Sequence, residues 1–302
     1  MPLLKSAAKI FFFLLLFTFH HGAAAQSPEA SLRDDVTFLS DSLCMGRGFG
    51  SKENLGTAFY INKAFRDAGL WTRFQIFHRD RMTGRNVIGI TPGFYDNYIV
   101  VGAFFDGIGC IDGESGRTYY PGADSNASGV ASLLHLARRL GRARTRTGII
   151  FVAFDGHSED LSGSKAFLEE FGRIYKLELM VNIDIIGSTA APVKDGRPDY
   201  LIALGAGNFS WQLNSLNRET GLYLSFDYYG SSRFTDLFYR SMSDQKWFVE
   251  KKIPSVMFTS GITMDTNKMS DTADKLDYGV MARRVRLIEL WLRRYLGITE
   301  PS

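Results

Sequence analysis

The chain reads as an α/β protein, a three-layer sandwich with a mostly parallel central sheet and helices on both faces. Three observations predict this. Apolar, β-branched runs alternate with segments of helical period, the pattern of strand–helix–strand units. One run, Gly148 to Phe154 (GIIFVAF), is continuously apolar, as suits a central strand covered on both faces. Carboxylates stand at expected strand ends, Asp106, Asp155 and Asp184, where open α/β sheets place their functional crevice.

Pro28 to Ser42 reads as a helix, and Ser42 to Ser51 as a glycine-rich loop. A second helix follows, with Phe59, Ile61, Ala64 and Phe65 on its apolar side and Gly69 as its stop. Phe74 to Phe77, Asn86 to Thr91 and Tyr98 to Phe105 are strands, rich in β-branched and aromatic residues. Val130, Leu133, Leu134, Ala137 and Leu140 form a helical stripe, closed by Gly141. The Gly148–Phe154 strand is followed by a helix over Leu161 to Tyr175. Strands then fall at Leu179 to Ile185, Tyr200 to Leu204 and Ile253 to Thr259. Met281, Val285, Ile288 and Leu292 line the closing helix, which Gly297 ends.

The composition is 45% hydrophobic and 22% charged, and 302 residues can bury a large core in one or two domains. No linker or repeat divides the chain after residue 26, which predicts a single domain over 26–302. A formal net charge of +3 is too small to argue for nucleic acid. No apolar run of membrane-spanning length occurs outside the N-terminus. At the N-terminus Lys5 and Lys9 precede the apolar block Ile10 to Phe19, and Ala23-Ala24-Ala25 supplies a small-residue cleavage site before Gln26. Residues 1–25 thus read as a signal peptide, and the mature chain as secreted or periplasmic. Cys44 and Cys110 could pair in an oxidising compartment, but two cysteines make no framework, and two separate thiols are favoured.

Two phrases concentrate the chemistry. Pro121-Gly122-Ala123-Asp124-Ser125-Asn126-Ala127-Ser128-Gly129 runs from a loop into a helix, and Asn182-Ile183-Asp184-Ile185-Ile186-Gly187 ends a strand in a carboxylate. Around them stand SLCMGRGFGS, NVIGITPG, IVVGAFFD, IIFVAFDGHSEDLSGS, SDQKWF, IPSVMFTSG and NKMSDTADKLDY. In this order, from Ser42 to Tyr278, the chain resembles the zinc aminopeptidase family that includes secreted bacterial aminopeptidases, glutamate carboxypeptidase II and glutaminyl cyclases.

The resemblance implies a zinc-exopeptidase-like fold and a site holding two zinc ions through a bridging Asp, two His and two further acids. A Glu serves as general base. Imidazole and carboxylate suit zinc, the metal pair activates a bridging water, and the base carries its proton to the leaving amine. Carried over position by position, the first His is Phe104, and the Asp that would orient it survives as Asp106. The bridging Asp is Asp124. Counting back from Gly163-Ser164 puts His157 at the base and Ser158 at the next ligand. Asp184 matches the terminal Asp ligand, and Asn267 stands where the last His belongs. Gln245 replaces the His of a Ser-Asp-His phrase common in the family.

By this alignment Asp124 and Asp184 are retained metal positions, while Phe104, Ser158 and Asn267 are replaced ones. Zinc is implied by the family, yet the residues point to none or a single ion; no organic cofactor is implied. The expectation is a catalytically degenerate relative that binds or scaffolds a peptide or protein ligand. Its alternative is an exopeptidase or amide-processing enzyme with one metal around Asp124, His157 and Asp184. A structural account of Asp124 also exists, since it precedes a helix and could cap its free N–H groups.

Weaker features have bland readings beside them. The basic stretch Arg138, Arg139, Arg142, Arg144 and Arg146 is a solvated helix end before it is an anion site. The aromatic set Phe226, Tyr228, Tyr229, Phe234, Phe238 and Tyr239 is either a pocket wall or core. His135, among leucines, is structural.

Overall fold

The computed structural model describes residues 26–113 and 116–298; the expected leader, residues 1–25, lies outside them. In chain order the elements are α1 (Pro28–Leu39), α2 (Lys52–Asp67), β1 (Trp71–Arg79), β2 (Met82–Ile90), β3 (Tyr98–Phe104), β4 (Cys110–Gly113) and β5 (Gly116–Tyr119). There follow α3 (Gly129–Leu140), β6 (Gly148–Phe154), α4 (Ser162–Ile174), β7 (Leu177–Ile183), β8 (Tyr200–Leu204), α5 (Ser210–Leu216) and β9 (Tyr223–Ser225). The last are α6 (Ser232–Arg240), α7 (Lys246–Glu250), β10 (Ser255–Thr259) and α8 (Tyr278–Tyr295).

Eight strands form one sheet in the order β1-β2-β6-β3-β7-β10-β8-β9, and β4 and β5 make a separate ribbon. The four inner strands β6, β3, β7 and β10 run parallel, and β3 and β6 are buried at every position. The sheet as a whole is mixed. β2 is antiparallel to both β1 and β6, and β8 to β10. The β1–β2 pairing follows from a short turn at Asp80, which leaves no room for a parallel crossover. Helices α1, α2, α3, α5 and α8 cover one face around a large apolar core, and α4 and α7 cover the other through Phe167, Leu168, Phe171 and Phe248.

The element ends have local causes. Ser27 caps α1 by accepting from Ala30 N, with Pro28 at the first turn; Ser51 caps α2; Asp277 caps α8. The first helix stops at Leu39, short of the expected Ser42, because Asp41 starts a new 3-10 turn by accepting from Leu43 N. Phe59, expected on the buried side of α2, is 56% exposed and packs edge-on against Phe74 at 5.3 Å. Elements β9, α5, α6 and α7 were not expected from the sequence; α6 does carry a helical stripe, Phe234, Leu237 and Phe238, but none of its residues is buried. Cys44 and Cys110 stand as separate thiols.

The long glycine-rich loop holds a residue that sequence reasoning passed over. Arg47 is fully buried and donates to the carbonyls of Leu39, Phe105, Pro121 and Gly122. One guanidinium thus ties α1, the end of β3 and the loop before α3 into one unit. Its neighbour Gly46 is glycine of necessity, since a Cβ there would lie 2.4 Å from Tyr120 O and φ is +70°.

Candidate functional site

A cavity of about 230 Å³ opens beyond the carboxyl ends of β3, β6, β7 and β10, as the sheet architecture predicts. Phe104, Asp106, Ser125, His157, Ser158, Asp184 and Asn267 all line it. The fold therefore brings together every site residue named from the sequence but one.

That one is Asp124. Its Oδ1 accepts from Gly187 N (2.7 Å), Ser188 N (3.2 Å) and Ser128 Oγ (3.1 Å), its Oδ2 is buried with no hydrogen-bond partner among the described residues, and neither oxygen lines the cavity. It does not cap α3 either, because that helix begins five residues later at Gly129. The next residue, Ser125, is the one that faces the cavity. Asp271 sets this register by accepting from Asp124 N at 2.7 Å and from Ser125 N at 3.0 Å. Asn126 completes the turn, donating to Phe104 O and Ile183 O and accepting from Gly129 N and Ile185 N. The assignment of Asp124 to a bridging position is thus one residue out of register with the cavity. Burial, and then repulsion by Asp271, push its carboxyl up to about 6, against hydrogen bonds from Gly187 and Ser128 and the pull of buried Arg284.

His157 is built in from three sides. Its ring stacks on Phe104 at 3.6 Å between centroids, 13° from parallel. Its Nδ1 donates to Oδ2 of the fully buried Asp244 at 2.9 Å. Its backbone N–H donates to Asp106 Oδ1 at 2.9 Å. Burial alone would lower its pKa, but the charge and hydrogen bond of Asp244, with Asp184 and Asp106 behind, raise it to about 9. At neutral pH the ring is an imidazolium, which is an acid and not a base.

Asp106 is spent on this loop. Besides His157 N it accepts from Ser158 N (3.1 Å) and Ser158 Oγ (2.8 Å), so it pins the 157–158 turn and orients no imidazole. Burial raises its pKa against those bonds and the His157 charge. Asp184 is the remaining acid on the cavity. Burial raises it, and the His157 charge and a hydrogen bond with Ser243 oppose.

Asp244 and Ser125 are the partners that sequence reasoning missed. Asp244 lay inside a quoted phrase, but 87 positions separate it from His157, and only the fold brings them together. Gln245 is buried as a tie: it accepts from Asn182 Nδ2 at 2.7 Å and donates to Phe238 O and Tyr239 O, fastening α6 to β7. Of the aromatic set, Tyr228 and Phe238 stack at 4.1 Å and form a cavity wall, Phe226 packs on the core, and Phe234 is exposed. The arginine stretch is engaged with its own surroundings, Arg138 on Asp35 (2.6 Å), Arg139 on Glu289 (3.0 Å) and Arg142 on Asp67 O.

The donor set does not fit a zinc ion. A catalytic zinc takes three protein ligands and keeps an open position. The cavity offers Asp184; Asp106 has both oxygens engaged, and His157 has Nδ1 committed to Asp244. Among the described residues no group of three or more His, Cys, Asp or Glu is arranged to hold a metal.

Comparison with known proteins agrees with the fold and with the phrases in the sequence. The family model described as Peptidase family M28 matches residues 86–292. The uncharacterized protein YfbL of Escherichia coli (strain K12) is 29% identical over 296 residues, spanning 86% of this chain and 85% of that one. Among solved structures, BSAP, a zinc aminopeptidase from Bacillus subtilis, superposes with a TM-score of 0.72 at 13% identity, over 89% of this chain and 95% of that one. The glutaminyl cyclase of Porphyromonas gingivalis gives a TM-score of 0.66 at 16% identity, over 88% and 98%. At such identities the structural likeness shows the fold alone, whereas the match over most of the sheet and its loops shows descent: the chain belongs to peptidase family M28.

Proposed function

We propose that this M28-family protein has kept the family's cleft, has given up its two-zinc chemistry, and works by binding a peptide or protein ligand. One observation carries the reading. Where zinc ligands would converge, Phe104 stacks on an imidazolium, and Ser125, Ser158 and Asn267 complete the lining. An aromatic ring in that volume offers no lone pair, and the imidazole stacked on it has Nδ1 committed to Asp244. With Ser125 in the cavity and Asp124 outside it, Asp184 alone remains of the five ligand positions. Losing even a supporting partner of a metal ligand costs about 10–100-fold in affinity or activity.

The competing reading, a one-metal hydrolase, draws on Asp184 and His157 sharing the cavity. The test is metal content. Residues 26–302 are loaded with equimolar zinc, desalted and assayed by plasma mass spectrometry, and melted with zinc and with chelator. The expected result is under about 0.1 zinc per chain and no change in Tm. Retention of one ion, with a rise of several degrees as for a ligand at about 100 times its Kd, would sink the proposal and favour the one-metal enzyme.

We also assign the mature chain to an extracytoplasmic location, on the charged, apolar and small-residue order of the leader. Among the described residues no helix is long and apolar enough to cross a membrane. Intact mass of the exported chain is expected to begin at Gln26; a chain retaining Met1 would overturn that.

A further inference from the structure

The cavity sets two acids, Asp106 and Asp184, and one imidazole, His157, inside an apolar mouth. His157 is its one cation, and that charge is already paired with Asp244. Both oxygens of Asp106 are already taken up by two N–H groups and a hydroxyl. No lysine or arginine lines the cavity, so Asp184, 6% exposed, faces it without a cationic partner of its own. Burial disfavours the ionised form of such an acid, and an incoming cation seated against it would favour that form again.

The walls are of the opposite character. Tyr228, Phe238, Met242, Met257 and Ile262 form an apolar flank. The elements that bear these residues also expose large side chains outward: Phe234 and Leu237 on α6, and Met264 (82% exposed) and Met269 on the segment after β10. Ile108, on the cavity lining, and nearby Ile111 in the chain are exposed as well. Nine of the eighteen large apolar side chains exposed among the described residues, Tyr229 included, belong to these segments. Exposed apolar side chains concentrated on the segments that line a cleft point to an interaction site.

We propose that this mouth docks a peptide segment of a partner protein through a lysine side chain, its alkyl stem along the apolar flank and its ammonium on Asp184, with apolar neighbours of that lysine covering the rim. The proposal deepens the binding reading above and rests on it. Lysine suits the shape: a flexible four-carbon stem lies along apolar surface and ends in a compact point charge, whereas the broader guanidinium pairs best with two free carboxylate oxygens, and Asp184 already holds a hydrogen bond with Ser243. The cavity, at about 230 Å³, takes one such side chain and not a folded element.

The test is fluorescence anisotropy in chelator-containing buffer. The probe is an N-acetylated, C-amidated peptide, Leu-Phe-Lys-Phe-Leu, with a dye on its C-terminal amide. Its counterparts carry norleucine or glutamate for the lysine, and one norleucine peptide keeps a free α-amine. The blocked lysine peptide is expected to bind, and norleucine to weaken binding by about tenfold or more, the usual scale for removing one partner of a desolvated charge pair. Asp184→Asn should abolish the preference for lysine and leave the norleucine peptide unchanged, a readout that a loss of folding would not give. Ile262→Asp on the rim should weaken all the peptides.

Equal affinity for lysine and norleucine, no binding of any blocked peptide, or strongest binding by the free α-amine would each overturn the proposal. The last would place a chain end, and not a side chain, at Asp184. Zinc content is measured without peptide, so failure here is distinct from failure of the binding reading.

Discussion

Asp124→Ala is expected to cost about 3 kcal/mol, the scale of unpairing a buried, hydrogen-bonded charge. The Oδ1 atom of Asp124 holds two backbone N–H groups, of Gly187 and Ser188, and the Ser128 hydroxyl. The same carboxylate is among the charges that favour buried Arg284, which donates to Ile186 O, Ser188 O and Tyr200 O. Carboxylate and guanidinium thus grip the 186–188 turn from two sides, and removing one leaves donors buried and unpaired. Asp184→Asn, on the cavity, should change stability by less than about 1 kcal/mol, because an isosteric neutral side chain replaces an unbalanced charge.

The urea midpoints of the two variants check this pair of expectations. A larger loss for Asp184→Asn than for Asp124→Ala would mean that the bracing acid has been misidentified. Asp124 also has a pH signature. With its carboxyl raised from 3.8 to about 6, its contribution is full below pH 4 and falls as pH rises through 6. Asp124→Asn should flatten that part of the profile.

The second large effect is expected at the alkaline side. The folded pKa of His157, about 9, stands above its reference of 6.5, so folding favours the imidazolium. The associated stability is complete below about pH 6.5 and is lost as pH climbs through 9. The shift corresponds to roughly 2–3 kcal/mol, with some allowance for a ring side chain that is 22% exposed. Urea titrations at pH 6.5, 8 and 9.5 should show the decline. Asp244→Asn should remove most of it, since the anion that holds the proton is gone. A profile unchanged by Asp244→Asn would show that the imidazolium is not held as the geometry requires.

Much of the fold was legible because burial writes periodicity into sequence. The run at β6 admits no polar residue because both its faces are covered, and the stripe from Val130 to Leu140 repeats at helical spacing because one side of α3 meets the core. The edge antiparallel pairings were not legible, since local pattern does not encode a strand's direction. Helix α6 was passed over although Phe234, Leu237 and Phe238 repeat at helical spacing; its residues bury nothing fully, so its stripe does not mark core.

The candidate site divides in the same way. Sequence by itself determined the class of the protein and the loss of imidazole at residues 104 and 267, because residue identity at a motif position needs no coordinates. It also placed Asp106, His157, Ser158 and Asp184 at the ends of parallel strands, where the cavity lies. Tertiary structure alone decided which of two adjacent residues, Asp124 or Ser125, faces that cavity, because a turn's register is set by a distant acceptor, Asp271. It alone decided that His157 is a cation, because its charge state depends on Asp244, brought from 87 positions away. Motifs record which groups a chain carries; which way they point, and whether they hold a proton, depends on contacts between segments that only folding brings together.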